Sequence, residues 1–225
     1  RKSMKSEDAN IIIKMKRNIH HLILRKRIHK RSFTLISQNC VGGVIYHMLD
    51  MPFKTPTINL YINDEDFVKL AENPRYYFSI EPEPLLEKYI EPTDEQVNYP
   101  LIKVGDITVY CRHYNSCKEA IDSWNRRRER IDYNNIYVIA TSWNLHESVE
   151  LIERIGKCGY PNVIFTYEKY DLPNCVYLKG DKWKKDKRGF VKPAIPNYSK
   201  NGYIRNFEEL FDFPKWINYG VVEER

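Results

Sequence analysis

The chain has 225 residues, which suits one domain or two small ones, and 42% of them are hydrophobic, enough for a substantial core. Its net charge of +6 is unevenly distributed, because residues 1–32 carry +9 and residues 33–225 carry −3. A mildly acidic body lacks the basic surface of a nucleic-acid-binding domain, so we expect no nucleic acid among the partners.

Cysteine usage and the length of the apolar runs indicate a cytoplasmic protein. The five cysteines form no CxxC pair and no close cluster with histidine, and an odd number without a secretory leader is typical of reduced thiols. No apolar run approaches the roughly 20 residues that span a bilayer. We therefore expect a cytoplasmic location, in which any contact with a membrane is peripheral.

Residues 1–32 have the pattern of a basic amphipathic helix, with apolar side chains near one helical stripe and Lys and Arg on the rest of the surface. The stripe consists of Ile12, Met15, Ile19, Leu22, Ile23 and Ile28. Such a helix either contacts an anionic membrane, through residues 1–31, or packs on the domain or on a second copy of itself. We favour packing, since the stripe has no Trp or Phe to anchor it among lipid headgroups.

Residues 33–220 alternate between strand and helix patterns, as in an α/β domain. The β-branched run 33–37 ends in a polar turn with two glycines, and a helical pattern follows over 41–49. Strand, tight loop and helix in that order open many nucleotide-binding α/β domains. Further runs predict a strand at 57–62, a helix at 65–72, a strand at 76–80 and a short helix between loops at 81–100.

The following segments complete the predicted sheet. Two runs that flank Gly105-Asp106 predict a β-hairpin, and the apolar run 136–140 predicts a buried strand. We therefore expect an α/β three-layer sandwich, with a Rossmann-like mixed β-sheet and flanking helices. The domain is either a single unit or two Rossmann-like halves at about 33–132 and 133–220.

The loop 37–43 is the leading candidate for ligand contact. Glycine permits close backbone approach, and the amino end of a helix attracts phosphate, so Asn39 and the amides of Gly42 and Gly43 would hold a phosphate group. The loop matches neither GxGxxG nor a Walker loop. Paired glycines at a strand exit also serve tight packing, which is the competing explanation.

Cys40 and His113 are the candidates for proton transfer and nucleophilic attack. Cys40 stands at the start of a predicted helix, where the dipole lowers a thiol pKa, so that a Cys40–His113 pair would suit a cysteine hydrolase. No signature of such an enzyme surrounds Cys40. His113 is the better acid/base candidate, because histidine exchanges a proton near neutral pH. Its alternative role is to cap or orient its loop.

Asp66 and Arg127 are further candidates. Asp66 is a weaker alternative to His113 as the base, although helix capping explains the acids at 64–66 as well. An arginine of 126–128, Arg127 among them, would bind a leaving phosphate, and an exposed charged helix face is the competing explanation. Such an arginine would replace a metal, so we expect neither a metal nor a cofactor.

The candidate residues lie mainly on three predicted loops, 37–43, 112–115 and 141–146, and Ser142 is the candidate substrate-binding residue of the third. Each loop follows a predicted strand. Since ligands in open α/β sheets bind beyond the carboxyl ends of the strands, we expect these loops to share one cleft.

Several stretches of the chain together resemble a known family. They are FTLISQNCVGGVIYHMLDMPFKTPTINLYI, DEDFVKLAENPRYY, CRHYNSCKEAIDSWNRRRERI, IYVIATSW and FDFPKWIN, within about residues 33–218. In order and identity they resemble a bacterial domain family of unknown function, commonly labelled exopolysaccharide biosynthesis protein. The resemblance highlights Asn39, Gly42, Gly43, Pro56, Asp66, His113, Ala120, Trp124 and Arg127. Where the family usually has Ser-Asn-Asn-Cys, this chain has Gln38 at the second position.

The resemblance implies a role in the biosynthesis of exopolysaccharide or another cell-surface polysaccharide, and from the candidate residues we expect a transferase. Its expected partner is a sugar nucleotide or a phosphorylated saccharide, that is, an activated sugar or a phosphate-linked substrate. His113 would deprotonate the acceptor hydroxyl while Asn39 and the glycine amides hold phosphate. The alternative is a non-catalytic assembly or regulatory module of the same pathway, docked on a membrane or a partner. The oligomeric state stays open.

Overall fold

A computed structural model of the chain describes residues 2–91, 94–141, 148–179 and 195–225. The elements within these ranges are, in chain order, α1 (Lys2–Arg27), β1 (Thr34–Ser37), α2 (Val41–Leu49), β2 (Tyr61–Ile62), α3 (Asp64–Glu72), α4 (Pro74–Ser79), β3 (Glu83–Glu91), β4 (Asp94–Val104), β5 (Ile107–Tyr110), α5 (Cys117–Arg128), β6 (Ile136–Thr141), α6 (Val149–Gly156), β7 (Asn162–Thr166), β8 (Cys175–Tyr177), α7 (Asn206–Leu210) and α8 (Phe213–Tyr219).

One sheet is parallel, with its strands in the order β1-β6-β7-β8. Its register pairs Leu35 with Tyr137 and Ile139 with Val163. Every residue of β1, β6 and β7 is buried, since helices cover both faces of this sheet. Burial on both faces explains why these strands are continuous apolar runs in the sequence rather than alternating ones.

The other sheet is antiparallel, with its strands in the order β2-β5-β4-β3. The predicted hairpin around Gly105 is confirmed as the β4–β5 turn, in which Gly105 has a φ of 61°. One backbone hydrogen bond connects the two sheets, from Ile62 N to Gln38 O at 3.2 Å. The predicted α/β class is thus confirmed, and its parallel and antiparallel pairings occupy separate four-stranded sheets.

Helices on both faces of the parallel sheet produce three layers. Successive side chains of β6 point to opposite faces, so that Tyr137 and Ile139 belong to one buried cluster while Val138 and Ala140 belong to another. The first cluster is completed by α2, α7 and α8. The second is completed by α3, α5, α6 and the inner face of the antiparallel sheet.

The prediction of a strand at 76–80 is wrong, because this segment forms most of α4. Pro74 stands in the first turn of that helix, where its fixed φ is favourable and its missing N–H costs nothing. The side chain of Asn73 accepts a hydrogen bond from Tyr76 N and caps the helix. These capping signals outweigh the β propensity of the aromatic residues.

The prediction of a short helix at 81–100 is also wrong, because this segment supplies β3 and most of β4. β3 is an edge strand, which tolerates Pro84, and its pairing with β4 contains register shifts. The strand predicted at 57–62 is shorter than expected, since Asn59 has a φ of 64° and interrupts the extended backbone.

α1 packs on the domain through the face opposite its apolar stripe. Leu24 is buried there, Arg17 Nε donates to Gly202 O at 2.6 Å, and His20 Nε2 lies 2.6 Å from Glu208 Oε1. Apart from Ile28, the stripe is exposed, so α1 packs on the domain, as one alternative predicts, but through other residues than the stripe. Over the parts of the chain that the structure describes, no helix is both long and apolar enough to cross a bilayer.

Candidate functional site

The chain leaves the neighbouring strands β1 and β6 towards opposite faces of the sheet, which opens a crevice at their carboxyl ends. α2 follows β1 and packs with Tyr137 and Ile139, whereas α6 follows β6 and packs with Val138. In open α/β sheets, ligands bind where successive connections diverge in this way. The residues at this point, which we call the crevice site, are Gln38, Asn39, Cys40, Asp64, Arg112, His113 and Thr141.

Gln38 is the buried residue that ties the crevice site together. Its Nε2 donates to Asp64 Oδ1 at 2.5 Å, and its Oε1 accepts from Thr141 N at 2.9 Å. These two bonds fix the orientation of the amide and join the end of β1 to β6 and to the first turn of α3. In the sequence, Gln38 stands out only as a departure from the family's usual Asn, and its bridging role depends on the strand order.

Asn39 shapes the loop that begins α2. Its Nδ2 donates to Thr141 Oγ1 at 3.0 Å, and its Oδ1 accepts from Val41 N at 3.0 Å. The residue is 6% exposed. Both polar ends of the side chain therefore have protein partners, so a phosphate group would meet Asn39 only at the mouth of the crevice.

The predicted phosphate-binding glycines are both buried between α2 and its neighbours. A Cβ atom at Gly42 would lie 2.6 Å from Ser37 Cβ, and one at Gly43 would lie 3.3 Å from Ile58 Cγ2. Gly42 N donates to Ser37 Oγ at 3.1 Å. Close packing of α2 on β1 thus accounts for Gly42, whose amide would have to exchange its serine partner to bind an anion.

Cys40 and His113 are brought together, with Sγ 3.5 Å from Nε2. Tyr114, the next residue, is buried and anchors the loop, since its hydroxyl donates to Ile58 O at 3.2 Å. His113 is exposed, so its imidazole can meet a ligand. Burial raises the pKa of the Cys40 thiol above its ordinary value, and the charge of Arg112 opposes this only in part. The thiol is therefore neutral near pH 7.

Arg112, the residue before His113, brings a cation to this pair and is not among the predicted site residues. Its side chain is 45% exposed, lies 3.7 Å from Glu91 Oε2 and has its guanidinium 5.5 Å from the centre of the Tyr99 ring. Its charge also acts on Cys40. An exposed guanidinium beside the crevice can form a bidentate contact with a phosphate group.

Asp66, the alternative base, has partners on both carboxylate oxygens. Oδ2 accepts from Thr108 N at 3.0 Å and from Asn63 Nδ2 at 3.1 Å, while Lys69 Nζ lies 3.3 Å from Oδ1. Asp66 joins α3 to Thr108 of β5, which lies just beyond the two β5 residues that pair with β2. These contacts indicate that the Asp66 carboxylate has a structural role rather than that of the base.

Arg127 is 7% exposed and lies in the interior rather than on an open helix face. Its Nη1 donates to Ile58 O at 3.1 Å and to the Tyr114 hydroxyl at 2.5 Å, and its guanidinium stacks over Phe53. Arg127 therefore fixes the loop that carries His113. Ser142, the last predicted residue, lies outside the described residues.

A cleft of about 320 Å³, including its open mouth, adjoins the crevice between α3 and α6. Its polar lining comes from Gln38, Asp64, Thr141 and Ser148, and its floor is apolar, with Ala140 and Ile164 from the sheet. Among the residues with a described position, no three His, Cys, Asp or Glu side chains are grouped as a metal site requires.

Half-buried tyrosines cover the face of the antiparallel sheet that points away from the core. The ring centres of Tyr61 and Tyr110 are 5.5 Å apart, and Tyr89 lies 5.6 Å from Tyr110. Ile62, the residue after Tyr61, donates its backbone N–H to Gln38 O at 3.2 Å, so the crevice site and this face are adjacent. Burial raises the pKa of the Tyr61 hydroxyl, and the charge of Asp64 raises it further. We call Tyr61, Tyr89 and Tyr110 the tyrosine face.

Comparison with known proteins identifies relatives without a described activity. Residues 11–218 match the family described as "Domain of unknown function (DUF1919)". An uncharacterized protein of Haemophilus influenzae is 28% identical over 200 residues, which cover 87% of this chain and 89% of the relative. Because the match extends over most of the chain, from α1 to α8, the protein belongs to the DUF1919 family.

Proposed function

We propose that the protein is a transferase of exopolysaccharide or cell-surface polysaccharide biosynthesis that acts on an activated sugar or a phosphate-linked substrate. One observation carries the proposal: an exposed histidine, His113, stands with Cys40 and Arg112 at the crevice where the connections after β1 and β6 diverge. The family resemblance supplies the substrate class. The geometry supports the presence of a base and an anion-binding cation in one place.

In this proposal His113 is the general base. It takes the proton of an acceptor hydroxyl as the acceptor oxygen forms a bond to the anomeric carbon of the donor. The bond between that carbon and the phosphate oxygen breaks, and the phosphate leaves with the electron pair. Arg112 compensates the negative charge that develops on the leaving group. The mouth of the crevice, at Asn39, receives the phosphate.

The tyrosine face suits the acceptor. Tyrosine presents an apolar ring with a polar tip, and such rings stack on the C–H face of a sugar while neighbouring groups bind its hydroxyls. Glu91 accepts from the Tyr99 hydroxyl at 2.6 Å and lies beside Arg112, so polar groups border the rings. A saccharide on this face would lie near Arg112, the residue before His113, because the Arg112 guanidinium lies 5.5 Å from the Tyr99 ring and Tyr99 packs against Tyr89.

A second candidate rests on the 3.5 Å contact between Cys40 and His113, which is also the arrangement of a cysteine hydrolase. The raised thiol pKa favours the transferase, because a nucleophilic cysteine needs a lowered one. The non-catalytic module of the same pathway is the remaining alternative.

A ligand panel followed by turnover assays tests the proposal. Nucleotides, sugar nucleotides and lipid-linked phosphosugars are screened by thermal shift, because a ligand that binds only the folded state raises Tm. Transfer by the wild type, its loss in His113→Gln and its retention in His47→Gln, a surface histidine, are expected. Stabilisation without turnover would favour the non-catalytic module, and retention of turnover in Cys40→Ala would contradict a cysteine nucleophile.

A further inference from the structure

α1 presents a continuous apolar surface that the rest of the described chain does not cover. Its members are Ile11, Ile12, Met15, Ile19, Leu22 and Ile23, which are between 50 and 59% exposed. They follow a helical stripe over about 18 Å of the helix axis. Exposed apolar residues scattered singly are ordinary, whereas a contiguous patch of this kind marks an interaction surface. We call these six residues the α1 stripe.

The opposite side of α1 holds the helix in a fixed rotation, so that the α1 stripe must face outwards. Arg17 Nε donates to Gly202 O at 2.6 Å and stacks its guanidinium on Tyr198, 3.8 Å from the ring centre. Arg25 Nε donates to Met48 O at 3.2 Å, and Leu24 is 2% exposed. The outward stripe is therefore part of the folded structure.

The charge around the stripe has one sign. Residues 10–31 contain eight Lys or Arg and no Asp or Glu. Lys14, Lys16, Lys26 and Arg27 are exposed along the helix beside the stripe. Part of this charge is paired with the domain, since Arg27 Nη2 lies 2.5 Å from Asp212 Oδ2. The helix still presents cations on both sides of an apolar surface.

This charge pattern indicates which partner the α1 stripe contacts. A second copy packed on the stripe would bring together two sets of cations from residues 10–31, which contain no acid, whereas helix pairs place opposite charges beside their apolar seam. A bilayer with anionic lipids satisfies both features, because its headgroups attract the cations and its acyl region accepts the apolar side chains. We propose that the protein docks on anionic lipid bilayers through the α1 stripe and its flanking lysines.

The composition of the α1 stripe determines how membrane binding depends on lipid charge and on salt. Aliphatic side chains insert without the interfacial anchoring of Trp, so attachment depends on the lysines as much as on the apolar area. Binding should therefore require anionic lipid. It should also weaken as the salt concentration rises, because salt screens the attraction between exposed charges. It does not depend on the proposed transferase activity.

Flotation of the full chain with vesicles tests the docking. Phosphatidylcholine vesicles with and without phosphatidylglycerol are compared for the wild type, for Ile19→Ser/Leu22→Ser, which keeps every charge, and for Leu85→Ser/Ile90→Ser as the matched control. Leu85 and Ile90 are 48 and 52% exposed on β3, similar to the replaced residues. Circular dichroism establishes that all three proteins are equally folded.

We expect the wild type and the β3 variant to float only with vesicles that contain phosphatidylglycerol, and the α1 variant to lose at least tenfold in partitioning. Failure of the wild type to bind at low salt would overturn the proposal, as would equal binding of the α1 variant. Sedimentation velocity adds a decisive outcome, since a wild-type dimer that Ile19→Ser/Leu22→Ser converts to a monomer would assign the stripe to a second copy.

Discussion

The Sγ atom of Cys40 lies 3.5 Å from Nε2 of His113, although 73 residues separate the two in the chain. The contact joins the beginning of α2 to the loop between β5 and α5. It therefore connects a loop of the parallel sheet to a loop of the antiparallel sheet, close to the backbone bond between Ile62 and Gln38. An exposed imidazole is held at this junction by buried neighbours, which is the arrangement that a binding or catalytic site requires.

Cys40 should react slowly with thiol reagents near neutral pH. Burial raises the pKa of its thiol above the ordinary value of 9.0, so the reactive thiolate is scarcer at pH 7 than in a free cysteine. We expect iodoacetamide labelling of Cys40, followed by peptide mass spectrometry, to be about tenfold or more slower in the native protein than in urea. Faster labelling of Cys40 in the native state would contradict this and favour the hydrolase alternative.

Replacement of Gly42 by alanine should destabilise the fold more than the same change at Gly43. The new Cβ would lie 2.6 Å from Ser37 Cβ at the first position and 3.3 Å from the end of the Ile58 side chain at the second. We expect Gly42→Ala to lower the free energy of unfolding by about 1–3 kcal/mol. At Gly43 the gain in helix propensity, about 1 kcal/mol, offsets the tighter contact. Urea unfolding measures both, and equal losses would show that close packing of α2 on β1 is not the reason for Gly42.

Replacement of Gln38 by leucine should destabilise the crevice site. The change removes the acceptor of Thr141 N and the donor to Asp64, and leaves a buried N–H without its partner. The expected cost is about 1–3 kcal/mol in the free energy of unfolding. Asn98→Leu, at an exposed position of β4, serves as the control with little effect. A loss in Gln38→Leu no larger than that in Asn98→Leu would argue against the bridging role.

The buried parallel strands and the hairpin at Gly105 are predictable because local signals agree with the fold there. Ile136–Thr141 is a continuous apolar run, and it forms a buried strand as expected. At Tyr76 the two signals conflict: aromatic residues favour a strand, whereas the cap at Asn73 and Pro74 determines the helix. The exposed edge strand β3 has no apolar periodicity to predict it, because neither face is fully buried.

The candidate site is predictable only in outline. Loops that follow strands are recognisable, so His113 and the region of Asn39 could be named in advance. The partners of a side chain depend on strand order and register, which no local pattern contains. Arg127 illustrates this, since its spacing suits an exposed phosphate ligand, while the fold buries it against Tyr114 and Ile58. Arg112, one position before His113, is the exposed cation instead.

Asp212 holds the end of α1 on the domain, and its titration should be visible in the stability of the protein. Its Oδ2 lies 2.5 Å from Arg27 Nη2 and 3.0 Å from Arg225 Nη2, and its Oδ1 accepts from Lys215 N at 3.1 Å. Burial opposes ionisation, but these donors outweigh it and hold the pKa of Asp212 below its ordinary value of 3.8. The unfolded state therefore takes up the proton first as the pH falls. Stability contributed by Asp212 is complete above that ordinary value and is lost as the pH falls through the lowered pKa.

We expect the free energy of unfolding of Asp212→Asn to fall less steeply than that of the wild type below about pH 4, where the wild-type carboxylate is lost. Urea unfolding over an acidic pH series measures the slopes. Asp50→Asn is the matched control, because the Asp50 side chain is 80% exposed in its pair with Arg25 and should leave the slope unchanged. If the Asp212→Asn curve ran parallel to that of the wild type, the outward orientation of the α1 stripe would have to depend on the other contacts of α1, such as those of Arg17, His20 and Leu24.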